Sequence, residues 1–509
     1  MKKIKFYTIL ILLPAGCSKD ADEVVETNEV VNNDNNNNTQ TEVIDELKIE
    51  INDFIWEGLN FWYYWQENVP NLADTKTNDA DAYFDFLNRY GPEDFFESLL
   101  HPDDRFSWIM DDYDVLEQSL DGVVTENGME FGLFLECNNE DVFGWVKYVQ
   151  KDSDAEAKGI ERGMFFNEIN NVRMNRNNYR NLLFGDSKSY TVGLSLIEFT
   201  DTNGCVTMYS TGDSYALNES KLVQDPIYIH DIIETGGKKI AYLMYNQFVG
   251  YVESEGIDHN YELMDLFAEF KNNNVDELVL DLRYNPGGGS TTQTLLASLI
   301  TGQFNGEVYS ERVFNSKVTA AYADTDFKTR FFASYDDQVF QSLNLNKLYV
   351  LTTGSTASAS EGLINNLSAY IDVIQIGDVT VGKNQGSITV KDYIDNDGNV
   401  NPNHKYAMQP IVTKSGNSAG FADFDNGLTP DIEILERLNN LGVLGDPDER
   451  LLKTAIDHIL GNITSISRSS NLNDSFGREL INFSELKKQY LIIDDIEIDF
   501  NEFYLVKYI

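Results

Sequence analysis

The hydrophobic pattern of the 509-residue chain changes period from region to region. From Ile44 to about Leu120 the spacing is helical. Ile51, Phe54, Ile55, Leu59, Phe61 and Trp62 recur on one side, and Trp56, Tyr63, Tyr64 and Trp65 thicken the stripe. Such a stripe reads as core, with a carbohydrate or peptide platform as the alternative. Asp81–Leu87 belongs to a second helix, ended near Gly91-Pro92. From Gly122 to about Leu217 short β-like runs alternate with turns, among them Phe131–Phe134 and Phe143–Val149.

From Pro226 the pattern becomes α/β. Lys239–Tyr245 reads as a strand, and Tyr261–Lys271 as an amphipathic helix with Leu263, Leu266, Phe267 and Phe270 on one side. Glu277–Leu282 has the continuous apolar character of a buried strand. It runs into the turn Arg283-Tyr284-Asn285-Pro286-Gly287-Gly288-Gly289, with a helix from about Ser290. The same succession recurs further on: strand Leu348–Leu351, a turn of small residues from Gly354 to Glu361, then a helix through Leu367. Two such strand ends side by side form a crevice at the carboxyl edge of a sheet, where α/β folds place their sites. Val373–Gly377 is a further strand, leading to Val381-Gly382-Lys383, and Ser387–Tyr393 another. Asp395–Gly398 reads as a hairpin turn. Read as a calcium loop with Gly398 in the glycine position, it would need Tyr393 and His404 as its first and last ligands. A helix spans Glu449 to about Leu460, and the tail beyond Gly461 mixes polar residues with acidic, β-like runs to which no role is assigned.

The length implies two to four domains, and the 42% hydrophobic content suffices for globular cores. A formal net charge of −45 repels phosphates and argues against nucleic acid as a partner. Met1–Lys5 followed by Phe6–Leu13 has the basic head and short apolar core of an export signal. It ends at Pro14-Ala15-Gly16-Cys17, which resembles a bacterial lipoprotein cleavage box with Cys17 as the lipidated residue; a plain secretory signal is the alternative. Lipidation would anchor the chain to a membrane without a spanning helix. Ser18–Glu42 is polar and asparagine-rich, a flexible tether by composition. Its early acids Asp20, Asp22 and Glu23 resemble the surface-export signal of Bacteroidetes lipoproteins. These features predict an outer-membrane or cell-surface lipoprotein facing the periplasm or the exterior. In an exported chain Cys137 and Cys205 are open to pairing, although nothing in the sequence fixes their separation.

The chemistry centres on serine and lysine. A serine nucleophile needs a base and an oxyanion site. None of the five histidines, His101, His230, His259, His404 and His458, falls in a local motif that marks a catalytic base. Lysine is the alternative base, provided that burial keeps it neutral. Lys383 follows the uncharged run Val379-Thr380-Val381-Gly382 and is the candidate, against the plainer reading of a solvated strand-end lysine. No cofactor or metal is called for.

Two resemblances sharpen this reading. The run Phe131-Gly132-Leu133-Phe134, the small-residue helix ending in Gly159-Ile160 and the Arg162-Gly163 turn resemble, in that order, a PDZ domain of the bacterial protease type. That implies strand addition of a peptide, with Phe131, Gly132, Leu133 and Phe134 as the loop holding its terminal carboxylate. Four further elements occur in order. They are Asp281–Gly288, Ser358-Ala359-Ser360-Glu361, Gly382-Lys383 and Gly427-Leu428-Thr429-Pro430-Asp431. Together they resemble the C-terminal processing peptidases, the S41 family of serine proteases.

With the features above, that resemblance implies an α/β multidomain protein. Residues 1–17 would be a lipoprotein signal peptide, 18–44 a disordered tether, 45–120 a helical N-terminal domain and 121–217 a PDZ-like β-rich domain. Residues 218–462 would be a crotonase/ClpP-like α/β peptidase core, and 463–509 a C-terminal extension. It implies Ser358 as nucleophile, Lys383 as general base, and the amides of Gly288 and Ala359 as the oxyanion hole. Ser355 and Ser360 are then turn and helix-start residues, and Asp281 and Arg283 brace the glycine loop. The family often has glutamine four residues after the lysine. Here that position is Ser387, with Gln385 close by, so either completes the catalytic set. The implied partners are polypeptides with accessible C-termini. A non-catalytic PDZ-type scaffold and a surface glycan-binding lipoprotein are the competing readings.

Overall fold

The structure is a computed structural model that describes residues 45–463, apart from 186, 200–205 and 396, together with 492–493. The signal segment, Cys17, the tether, Cys205 and most of the C-terminal extension lie outside the described residues. Cys137 is disulfide-bonded. Among the described residues no helix is long and apolar enough to cross a membrane.

The centre is a six-stranded sheet in the order Ile227–Thr235, Lys238–Tyr245, Glu277–Asp281, Lys347–Thr352, Asp372–Gly377, Ile432–Glu433. The first pair is antiparallel and the remaining pairs are parallel. Its strands are apolar on both faces because both faces are covered. Ala241, Leu243 and Tyr245 point into one core, with helices His259–Asn272, Ser290–Thr301 and Ala359–Ser368. Ile240, Tyr242 and Met244 point into the other, against helix Arg450–Ile459.

A second sheet completes that other core. Strands Met129–Leu135, Val142–Val149, Phe165–Ile169, Tyr190–Phe199 and Val206–Leu217 lie in that order. Phe143, Trp145, Tyr148, Val206 and Met208 pack onto the central sheet, whereas Leu133, Val146, Phe166 and Val192 face the module's own core with helix Tyr179–Phe184. Val123–Glu126 pairs with Ser220–Val223 where the chain enters and leaves the module. The apolar pattern reads Phe131–Phe134 as a β-like run, whereas the PDZ resemblance makes it a loop. These residues form the middle of an edge strand, each paired with a residue between Phe143 and Val146. Alternation decides this: Leu133 faces the module's core and Phe134 packs towards the central sheet.

The N-terminal helices do not stand apart. Helix Glu46–Trp62 is capped by the Asp45 carboxylate, which accepts from the Lys48 amide at 3.2 Å. Ile55, Leu59 and Trp62 share a core with Phe95 and Phe96, and also with Val390, Met408 and Val412 from far along the chain. Gly58 permits this contact, since a Cβ there would lie 2.5 Å from the Met408 methyl. The aromatic stripe is therefore core. The helical region also contains a strand, Trp108–Met110, paired antiparallel with Ala407–Gln409. Local spacing carries no signal for a partner so distant.

Candidate active site

The parallel strands Glu277–Asp281 and Lys347–Thr352 are neighbours, and each ends in a tight turn leading to a helix. Ser358 closes the second turn with φ +62° and ψ −115°, immediately before helix Ala359–Ser368. A non-glycine residue held there stores about 1–3 kcal/mol of strain, and sharp strand-to-helix turns of this kind present nucleophiles. The first turn holds the second in place. The Ala357 amide donates to the Asn285 carbonyl at 3.1 Å, and the Thr356 and Ser360 hydroxyls donate to the carbonyls of Leu282 and Asn285 at 2.8 and 3.1 Å. Ser358 is buried, and its hydroxyl has no hydrogen-bond partner among the described residues.

Lys383 is 1% exposed and lines the same cavity as Ser358. Around them stand Ser290, Gln293, Asn365 and Arg312, and among the described residues no histidine belongs to the lining. Val381 is pinned to the nucleophile turn by its amide, which donates to the Thr356 carbonyl at 3.0 Å. The N-terminal region reaches in as well. Arg105 donates to the carbonyls of Val381 and Asp425 at 3.0 and 2.9 Å, and the Lys383 Nζ lies 5.3 Å from the Phe106 ring centroid.

Glu361 joins the two halves of the site. One carboxylate oxygen accepts from the amides of Ser358 and Lys383, both at 2.8 Å. The other accepts from the Gly382 amide at 2.6 Å and the Thr380 hydroxyl at 2.5 Å. Burial pushes this carboxyl up, and the four donors pull it back. The motif Ser358-Ala359-Ser360-Glu361 is visible in the sequence, but this role is not, because two of the donors stand 21 and 22 residues away. Glu361→Gln turns one of the two acceptor oxygens into an NH2 group, so two of the four buried donors face a donor. It is expected to cost at least about 2 kcal/mol, read as a lower urea midpoint.

The expected oxyanion donors sit on the same two turns. Ala359 is the first residue of its helix, where an amide lacks an intrahelical acceptor. Its carbonyl accepts from Gln293 Nε2 at 2.7 Å. Gly288 has φ +139°, and a Cβ there would meet the Phe248 carbonyl oxygen at 2.3 Å. Gly288→Ala is therefore expected to destabilise the fold by about 1–3 kcal/mol, measurable as a lower melting temperature. Gln385 and Ser387 are buried on strand Gln385–Ser387 and are not among the cavity-lining residues.

Behind the glycine turn lies a buried charge network. Arg283 Nε meets both Asp281 oxygens at 3.0 Å, its two Nη atoms meet Glu449 at 3.1 and 2.9 Å, and Nη1 also meets Glu436 at 3.1 Å. Arg162, from the second sheet module, donates to Glu436 and to the Tyr284 hydroxyl, both at 2.7 Å. Burial alone would push Glu436 up, but Arg162 and Arg283 together hold it below the ordinary carboxylate value. For Asp281 burial wins, and its carboxyl is raised. A second contact from that module reaches the nucleophile turn directly, where Lys147 Nζ donates to the Ser355 hydroxyl at 3.0 Å.

Among the described residues, Asp225, His259 and Glu262 are spaced so that they could hold a metal ion. They are already paired, Asp225 with Lys151 at 3.1 Å and His259 with Glu262 at 2.6 Å.

Comparison with known proteins places this geometry. Residues 239–434 match the family described as Peptidase family S41, and residues 50–108 match the Peptidase S41 N-terminal domain. A carboxyl-terminal-processing protease of Picosynechococcus sp. is 25% identical over 331 residues, covering 64% of this chain and 67% of that protein. A crystal structure from Bacteroides fragilis, assigned to the S41 proteases, superposes with a TM-score of 0.63 at 24% identity, covering 81% of this chain and 97% of that one. Residues 239–434 therefore resemble the S41 peptidases and residues 50–108 their N-terminal domain, while the Bacteroides fragilis structure shows a shared fold.

Proposed function

We propose that the chain is a serine endopeptidase working through a Ser358–Lys383 dyad. The observation that carries the reading is that a strained, buried serine and a buried lysine line one cavity with no histidine among the described residues of its wall. Lys383, as the neutral amine, takes the Ser358 hydroxyl proton while Oγ attacks the amide carbonyl carbon. Burial favours that neutral form. The amides of Gly288 and Ala359 receive the oxyanion. The tetrahedral species then collapses, the C–N bond breaks, and the Lys383 ammonium returns its proton to the departing amine. Water then adds to the acyl carbon as Lys383 takes its proton, the bond from that carbon to Oγ breaks, and the ammonium returns the proton to Ser358 Oγ as the acid leaves. Gln385 or Ser387 orients the amine.

The second sheet module is proposed to act as a PDZ-like receptor for the substrate's C-terminal tail. Strand Met129–Leu135 is an edge, helix Tyr179–Phe184 flanks it, and the Phe131 and Phe184 rings stack at 6.1 Å. Edge plus helix suits strand addition of an extended peptide. Substrates are accordingly polypeptides with accessible C-termini. Lipidation at Cys17 and an outer-membrane or surface location are proposed from the sequence alone. Cys17→Ser should abolish incorporation of a labelled fatty acid.

The test is cleavage of unstructured peptides by purified protein lacking the first 44 residues, beside Ser358→Ala and Lys383→Ala. Full activity in either variant ends the dyad assignment. Tight peptide binding without turnover at any pH would favour a non-catalytic scaffold.

A further inference from the structure

Ile492–Ile493, part of a tail to which the sequence assigns no role, forms a two-residue strand. It pairs parallel with Gly288–Gly289, Gly288 opposite Ile492 and Gly289 opposite Ile493. Ile493 also pairs parallel with Ser387 on the opposite side. In the sheet order it is the strand that separates Gly288–Gly289 from Gln385–Ser387. Two edges one strand apart leave a gap of about 9–10 Å, the width of a single extended backbone.

Both edges adjoin the candidate site. Gly288–Gly289 runs directly into helix Ser290–Thr301, whose Ser290, Gln293 and Thr294 line the cavity with Ser358. Strand Gln385–Ser387 begins two residues after Lys383. An endopeptidase must hold a stretch of substrate backbone beside its nucleophile. Sheet pairing does so with main-chain hydrogen bonds that do not depend on side-chain identity. A glycine pair on one edge leaves the approach clear, and the positive φ of Gly288 points to glycine there for conformational reasons as well.

We infer that this slot is the main-chain track for an extended polypeptide substrate, and that the chain's own segment at Ile492–Ile493 is its resident competitor. The inference rests on the peptidase reading. Substrate runs in the same sense as the tail, parallel to both edges. Being tethered, the segment acts at an effective concentration in the millimolar range. It therefore competes well even with weak intrinsic affinity, and substrate must displace it. Isoleucine suits the task, since β-branched residues favour extended backbone.

The test uses the full chain from residue 45 carrying Ile492→Pro and Ile493→Pro together, which removes both amide donors of the strand. A second variant ends at residue 463. The described cores draw on residues from Ile51 to Ile459, so this variant keeps all of them. Both variants are expected to lower KM for a reporter peptide by about tenfold with kcat little changed. A synthetic peptide of residues 486–499, added in trans, is expected to restore the higher KM competitively. Unchanged KM in both variants, or a peptide without effect, overturns the inference. Anisotropy of the labelled peptide, measured on Ser358→Ala backgrounds, separates this result from the peptidase reading. Binding to the tail-less Ser358→Ala protein, but not to its tailed counterpart, upholds the slot even if no form hydrolyses peptide. Hydrolysis with no such binding leaves the peptidase and sinks the slot.

Discussion

Ser358→Ala is expected to lower kcat/KM for peptide hydrolysis by at least about 10³-fold while leaving the melting temperature nearly unchanged. The hydroxyl makes no full hydrogen bond among the described residues, only a capping approach to the Glu361 amide, so its removal takes little from the turn. The strain at φ +62° is shared by serine and alanine and cancels in the comparison. Lys383→Ala should give a loss of similar size, and the double variant should be no worse than either single one, because nucleophile and base act as a unit. Lys383→Arg should be equally inactive, since a guanidinium stays charged and cannot take a proton. Single-turnover kinetics with a peptide reporter, run beside thermal melts, checks all four. Additive losses in the double variant would mean that the two side chains do not work together.

Arg283→Met is expected to destabilise the chain by about 3–5 kcal/mol, the cost of stripping a buried charge cluster of its cation. Arg283 is fully buried and answers Asp281, Glu436 and Glu449, so the variant leaves those carboxylates short of counter-charge. The sign with pH follows. Asp281 already has its folded pKa raised by burial, and losing Arg283 raises it further. A carboxyl raised in the folded state binds protons more readily there than in the unfolded chain. Its contribution to stability therefore falls as pH rises through the window between the two values. The stability gap between Arg283→Met and the parent should be wide at pH 8 and narrower at pH 5. Urea midpoints at the two values measure it, and a gap that widens on acidification contradicts the account.

What was legible in the sequence follows the range of each interaction. The paired strand–turn–helix units were legible, because apolar runs, glycines and helix starts are local signals. The parallel neighbours Glu277–Asp281 and Lys347–Thr352 have the arrangement that those units predict. The positioning of the site was not legible. Glu361 gathers its donors through the folded turn, and Arg105 reaches the carbonyl of Val381 across 276 residues. No pattern of spacing encodes such contacts. Phe131–Phe134 reads as strand in its own apolar pattern, and pairing with Phe143–Val146 agrees; the loop comes only from the PDZ resemblance, which carries no local pairing information. The tail at Ile492–Ile493 reads as strand-like, but its neighbours in the sheet belong to segments about 100 to 200 residues earlier.

The core shared by helix Glu46–Trp62 and Met408 has a consequence for biosynthesis. The Ile411 amide donates to the Ser107 hydroxyl across 304 residues of sequence. At about 5–20 residues per second, the ribosome needs roughly 15–60 s to supply that partner. Meanwhile Ile55, Leu59 and Trp62 await the aliphatic residues that finish their enclosure. A nascent chain held open this long is a natural client for holding chaperones, and translation speed across the intervening modules becomes a determinant of yield.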